Sequence, residues 1–264
     1  MKPGVYIAKK KDNTTYYRAS ITYKSKHISL GSFDTEDKAH EAYLEAGNVI
    51  SNNDISIHSY KKENLLAFDK WISLINLRDN GMYFRTPIYL HDKFFYYYLS
   101  LEDILIFDVD DLFYYSTRKI MKRGGHLFVA DYGMQVNILS RYGIKNYAVA
   151  GRDYIFKNGI ENDYRYSNIE IINHYHGVLQ EMKKGIVQYV AKIHVNGDII
   201  IGRYRTENDA AIAYNKAVDI LKSKGVDKNF PTNYISEIDV IKYSSIYNKL
   251  RISSAILNYQ PPCS

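Results

Sequence analysis

Polar and apolar residues alternate over residues 17–24. Ala19, Ile21 and Tyr23 fall on one side, and Arg18, Ser20, Thr22 and Lys24 on the other. This period of two predicts a strand with one buried face. A turn at KSK and the short apolar segment HISLG predict a second strand hairpinned to it. Asp34-Thr35-Glu36-Asp37 then opens a helix, with a capping hydroxyl and early carboxylates suited to the positive end of the helix dipole. That helix carries Ala39, Ala42, Tyr43 and Ala46 on one stripe.

The same succession returns over residues 189–217. YVAKI is followed by an NGD turn, whose NG pair is a strong hairpin signal, then by IIIG and Arg205-Thr206-Glu207-Asn208. The second helix stripe is Ala210, Ala213, Tyr214 and Ala217. With one gap in the turn, the copies also share Tyr17/Tyr189, Ala19/Ala191, Ile21/Ile193, Ile28/Ile199, Gly31/Gly202, Thr35/Thr206 and Glu36/Glu207. Stripes of small residues let a helix lie close across a sheet, so one sheet face is covered and the other is left polar. In the first copy the polar face offers Arg18, Ser20, Thr22, His27 and Ser29, with Lys9 to Lys11 on the preceding strand. In the second it offers Gln188, Lys192 and His194, with Arg203 and Arg205 just beyond. Such side chains read base edges or grip phosphates when a small sheet enters a DNA major groove. The plain alternative is a solvated face, and the recurrence of basic and amide groups in both copies weighs against it.

Between the copies, Glu63 to Leu77 places Leu65, Leu66, Phe68, Trp71, Ile72 and Ile75 at helical spacing, predicting a packed helix with Trp71 in its core. From TPIYLHDK onward the chain is β-like and aromatic, and the strand character continues after the Gly124-Gly125 turn. The C-terminal stretch from Ser236 has the apolar pattern of a further helix before a Pro-Pro end. Packing on the second repeat and a dimer contact are both compatible with it.

Composition limits the partners. The 264 residues suit two or three small domains, and the net charge of +6 favours a polyanion. The plain alternative is AT-rich coding, which enriches Lys, Ile, Asn and Tyr whatever the partner. No run approaches the roughly 20 apolar residues of a membrane span, and MKPGVYIAKKKDN lacks the apolar core of a signal peptide. The single cysteine, Cys263, rules out an internal disulfide and a cysteine-rich zinc site, and suits a reducing cytoplasm.

The runs YRASI…ISLGSFDTEDKAHEAY and, more weakly, YVAKI…IIIGRYRTENDAAIAY resemble the APETALA-type (ethylene-response-factor-type) DNA-binding domain. The resemblance implies three strands and a helix, with the sheet in the major groove. AVAGRDYIFKNGIENDYRYSNIEIIN resembles the HNH nuclease motif of homing endonucleases, with Asp110-Asp111 as its acidic start and Leu139-Ser140-Arg141-Tyr142 as its second strand. In that family an Asp-His pair and an Asn on a short helix surround one divalent metal, and the His deprotonates water. Asp153 stands at the metal-binding Asp and Asn168 at the metal-binding Asn, with Asp163, Arg165 and Ser167 leading into it. Tyr154, however, occupies the general-base position, and Ser140 stands where a further His is usual. A tyrosine with a solution pKa of about 10 accepts a water proton poorly at neutral pH. The expectation is therefore no catalysis and no required cofactor, with Asp153 and Asn168 a vestigial site for an ion such as magnesium. A turn Asp and a helix-start Asn is their plain alternative. Rescue by His126, His174 or His176 is the weaker reading, and Lys119, Lys122, Arg123, Lys145, Arg141 and Arg165 are left to hold DNA backbone.

The fold expected is thus α+β: two small three-stranded-sheet-plus-helix DNA-binding domains flanking a degenerate ββα-metal (HNH-like) domain. The divisions are an APETALA-type domain at 1–50, a helical connector at 51–83, the HNH-like domain at 84–180, a second APETALA-type domain at 181–236 and a tail at 237–264. The function expected is sequence-specific binding of double-stranded DNA without cleavage, as a cytoplasmic transcriptional repressor of prokaryotic or viral setting. The partner is DNA, not membrane, and the protein is a monomer or a homodimer. An active nickase with a non-standard base and a protein-interaction module are the alternatives.

Overall fold

The computed structural model describes residues 1–261, so Cys263 and the end of the Pro-Pro segment, residues 262–264, lie outside the described residues. The chain is mixed α and β, built from several small antiparallel sheets and few helices. It divides into two compact units: Met1–Tyr142 with Asn158–Asn168, and Gly143–Lys157 with the chain from Ile169 onward. Among the described residues no helix is long and apolar enough to cross a membrane.

The first unit opens with β1 (Val5–Lys9), β2 (Thr15–Tyr23) and β3 (Lys26–Phe33), an antiparallel three-stranded sheet, followed by α1 (Glu36–Ser51). Thr35 caps α1 as its composition predicts, its Oγ accepting from the Lys38 N–H at 3.2 Å. Ala39, Ala42 and Ala46 are fully buried against Val5, Ala19, Ile28 and Leu30 of the sheet. Only Lys9 of the lysine run lies in a strand; Lys10 and Lys11 enter a loop that closes when the Lys10 N–H reaches the Thr14 carbonyl.

The predicted connector helix is α2 (Phe68–Asn80), shifted toward the C-terminus from the expected Glu63 start. Residues 63–67 stay extended or turned because the Glu45 carboxylate accepts the N–H groups of Leu65 and Leu66, both at 3.0 Å. Trp71 lies in the core as expected, its indole donating to the Ser56 carbonyl at 3.2 Å. With Leu66, Ile72, Leu74, Ile75 and Leu77 it forms one continuous core with the first sheet and α1. The unit continues with the sheet β4 (Ile88–Leu90), β5 (Phe94–Tyr98) and β6 (Ile104–Asp108), then α3 (Leu112–Tyr115). A third sheet follows: β7 (Ile120–Arg123), β8 (His126–Asp131) and β9 (Met134–Asn137). Phe95, Phe107, Tyr115 and Tyr164 stack into the aromatic core of this part.

Residues 139–142 do not make the expected strand. They belong to a 3-10 helix, Ile138–Tyr142. Asn137 explains it: its side-chain oxygen accepts the Leu139 N–H and its carbonyl accepts the Ser140 hydroxyl, an alternative to strand pairing.

The second unit holds a short hairpin, β10 (Tyr154–Phe156) with β11 (Ile169–Ile171). A three-stranded sheet follows: β12 (Val178–Lys183), β13 (Ile186–His194) and β14 (Asp198–Tyr204). α4 (Glu207–Ser223) covers it, capped by Thr206 accepting from the Asp209 N–H at 3.1 Å. No helix carries Asn168. The chain enters β11 directly after it and, past β11, reaches β12 without a helical turn. The tail forms α5 (Val240–Lys249) and α6 (Ser254–Leu257) and packs on the second repeat, with Ile256 fully buried beside Ala211, Val218 and Ile201.

The two repeats match in detail. In both, the alanine of the central strand pairs with a glycine of the third, Ala19 with Gly31 and Ala191 with Gly202, and a bulge follows at once. Both begin one strand earlier than the alignment that revealed them, at Gly4-Val5 and Gly177-Val178, where the valines pair with Ala19 and Ala191.

Candidate nucleic-acid interface

Strand alternation sends Ala19 and Ile21 toward α1 and leaves Arg18, Thr22, His27 and Ser29 exposed on the opposite side. The register sets Thr22 beside His27, and the Thr22 hydroxyl lies 3.4 Å from the His27 ring nitrogen. Arg18, Ser20, His27 and Ser29, with Tyr6 and Ala19, line one shallow depression. Ser20 departs from expectation. It is only 6% exposed because the bulge after Ala19 sinks it, and its hydroxyl has no hydrogen-bond partner. Arg18 forms no ion pair among the described residues, so this face keeps its positive charge open. Lys9 and Lys11 do not share the face as expected: Lys9 alternates with Val5 on the α1 side of the sheet, and Lys11 lies in the loop after β1.

The second face differs. Gln188, Lys192 and His194 share the outward side of β13, but Asp198 sits across from them at the start of β14. Its carboxylate takes Lys192 at 2.7 Å and His194 at 2.9 Å. Those two partners hold the Asp198 carboxyl below the usual carboxylate range. Gln188 pairs with Glu181 in register, and Ile200, 45% exposed, faces Lys192. Arg203 and Arg205 alone stay exposed and without an ion pair among the described residues. Asp198 is the residue that a search for basic side chains passes over. Its signal was the Asp that closes the NGD turn.

Arg141 and Arg165 are not open cations. Arg141 donates to the buried carboxylate of Asp111 at 2.9 Å and lies over the Tyr114 ring at 4.1 Å. Arg165 grips Asp163 with two nitrogens, at 2.9 and 2.6 Å. Burial by itself raises the Asp163 carboxyl, but Arg165 and the Asn158 amide outweigh it and hold it below its ordinary value. A native pKa below the unfolded one means stability that is present above about pH 4 and lost as pH falls through the native value. Asp163→Asn is therefore expected to cost about 1.5–3 kcal/mol at neutral pH, since it removes charged hydrogen bonds to a buried group. Thermal unfolding across pH should show the gap between variant and wild type closing below about pH 4. A gap that stays constant over that range would contradict the assignment.

The residues placed at nuclease positions are occupied internally. Asn168 accepts from the Asn158 N–H at 2.9 Å and donates to the Asp163 carbonyl at 2.8 Å, which ties its own loop. In the second unit, Asp153 accepts from the Val149 N–H at 2.8 Å, the Arg152 guanidinium at 2.6 Å and the Asn173 amide at 3.0 Å. Burial pushes its carboxyl up, and these donors more than reverse that. Tyr154 is buried and packs edge-on to Phe156 at 5.7 Å. Ser140 spends its hydroxyl on the Asn137 carbonyl at 2.6 Å. The side-chain oxygens of Asp153 and Asn168, the ligand type a hard divalent ion takes, are thus each engaged by protein donors. Among the described residues no three His, Cys, Asp or Glu side chains gather to hold a metal. His176 is held below its ordinary pKa by burial, between the Tyr147 and Tyr214 rings, and His174 bonds Glu207 at 2.9 Å. His126 is exposed in β8.

Scanned against family models, the chain matches none, and comparison with the curated proteins and with the solved structures likewise finds no match.

Proposed function

We propose that the chain is a sequence-specific double-stranded DNA-binding protein, derived from an HNH homing endonuclease with two APETALA-type modules, that no longer cuts and acts as a transcriptional repressor by occupying its site. The observation that carries this reading is the outward face of β1–β3. There Arg18, Thr22, His27 and Ser29 stand exposed with no acidic partner among the described residues, while α1 seals the other face. A duplex major groove about 12 Å wide admits such a small sheet, and these side chains are donors and acceptors for base edges and phosphates. Loss of cleavage is supported by the internal bonding of Asp153 and Asn168 and by a buried tyrosine at the general-base position. Occupancy needs no effector segment, and the sequence carries no acidic activation stretch. The two outward faces differ in charge, which fits an asymmetric site read by one copy of the chain in a cytoplasm that contains DNA.

Selection of bound duplexes from random DNA tests the reading. One preferred site should emerge, and log affinity should fall with log salt at about 0.9 per neutralised phosphate. The same duplex should stay intact with magnesium or manganese at excess protein. Binding that ignores sequence or salt would overturn the reading, and a nick would restore the nuclease.

A further inference from the structure

Beyond the edge of β3 the first unit has an open groove of about 870 Å³, lined in part by Lys26, His27, Ser29, Lys70, Tyr83 and Arg85. Three features set it apart from an ordinary surface hollow. First, it is continuous with the outward sheet face, because His27 and Ser29 line both this groove and the depression around Arg18. Second, its charge is of one sign. Lys26, Lys70 and Arg85 line it together with the hydroxyl residues Ser116 and Thr117, and no carboxylate does. Asp69, beside Lys70 in the chain, is already taken by Lys119 at 2.6 Å. Third, its cations are gathered rather than scattered. The ammonium groups of Lys26 and Lys70 lie 5.0 and 5.2 Å from the centre of the same Tyr83 ring, and Lys70 also donates to the Tyr83 hydroxyl at 2.5 Å. Like charges held at one ring repel, and an anion between them removes that cost.

We propose that this groove is a track for one sugar–phosphate backbone of the duplex. A strand seated on the outward face of β1–β3 passes the β3 edge into the groove, where Lys26, Lys70 and Arg85 each meet a phosphate. The inference rests on the DNA-binding reading above and adds a second contact surface to it, supplied by α2 and the loop before β4 together with Lys26 at the β3 edge. The ligand class is a phosphodiester polyanion. Contacts of this kind hold register and carry no base information.

The experiment compares Lys70→Gln/Arg85→Gln with Arg18→Ala on the selected duplex and on a scrambled one. The double variant should weaken both duplexes by the same factor and make the salt slope shallower by nearly two, at about 0.9 per lost phosphate contact. Arg18→Ala should instead change the ratio between the duplexes. In the wild-type protein, bound duplex should protect Lys26 and Lys70 from acetylation, a readout that needs no variant. An unchanged salt slope in the double variant, or full acetylation of both lysines in the complex, overturns the track while Arg18→Ala still reports on the DNA reading. Failure of the wild type to bind any duplex overturns the reading itself.

Discussion

Arg18→Ala is expected to weaken the selected duplex about ten- to a hundredfold, whereas Lys192→Ala changes affinity less than about threefold. One good base contact supplies about 1–3 kcal/mol of discrimination, and about 1.4 kcal/mol is a factor of ten. Among the described residues Arg18 has no ion-pair partner to give up on binding. Lys192 must first leave Asp198, which holds it at 2.7 Å and remains as a negative charge beside any approaching phosphate. Arg18 precedes the bulge of its central strand and Lys192 follows the bulge of its own, so the comparison sets an open cation against a paired one at non-matching positions. Titration of a labelled duplex measures it. Equal losses would show that Asp198 does not mask the second face, and no loss from either would favour a protein partner.

Gly177→Ala is expected to destabilise the second unit by about 2–5 kcal/mol, combining overpacking with a side chain forced to positive φ. Gly177 lies at φ +70, and a Cβ there would come within 2.4 Å of the Tyr214 ring and 2.6 Å of the Lys192 carbonyl oxygen. Tyr214 is 1% exposed and is wedged by His176, so it has nowhere to turn. Gly4 is the matching residue of the first repeat, at φ +75 against Tyr43. Tyr43 is only half-buried and stacks on His40, so it can swing outward. Gly4→Ala should accordingly cost about 1–2 kcal/mol. Thermal unfolding of the two variants checks the order, and a larger loss from Gly4→Ala would reverse the argument.

The parts of the fold that read directly from the sequence are those whose cause is local. The threonine caps, the alanine stripes and the strand alternation around Ala19 and Ala191 each follow from a few adjacent residues. The first strand was expected in the first repeat, around Lys9, but not in the second. β1 and β2 are joined by the loop at 10–14, while β12 and β13 turn tightly at Lys184-Gly185, so the two copies fall out of step before Tyr17 and Tyr189. The expected strand at 139–142 and the expected Asn168 helix failed for a different reason. Side-chain hydrogen bonds from Asn137 and Asn168 close turns there, and no periodicity of apolar residues announces such bonds. At the interface, residue type was legible and electrostatic state was not. Arg18 and Lys192 look alike in a list of cations. The neighbours separate them: Arg18 pairs with Ser32, whereas Lys192, paired with Ile200, reaches the carboxylate of Asp198, which stands opposite His194.

The shared core of the first repeat and α2 sets how this protein can be taken apart. Trp71, Ile72, Leu74 and Tyr98 belong to the same buried cluster as Ala42 and Ala46, and the Arg78 guanidinium binds the carbonyls of Val49, Asn52 and Ile55 at the end of α1. A cut after residue 50 would strip the back of α1 and leave the Val49 carbonyl without the Arg78 guanidinium. The first repeat is therefore not a portable cassette. A transfer of the first repeat to another protein, by recombination or by design, would have to carry the chain through Tyr98 to keep it folded.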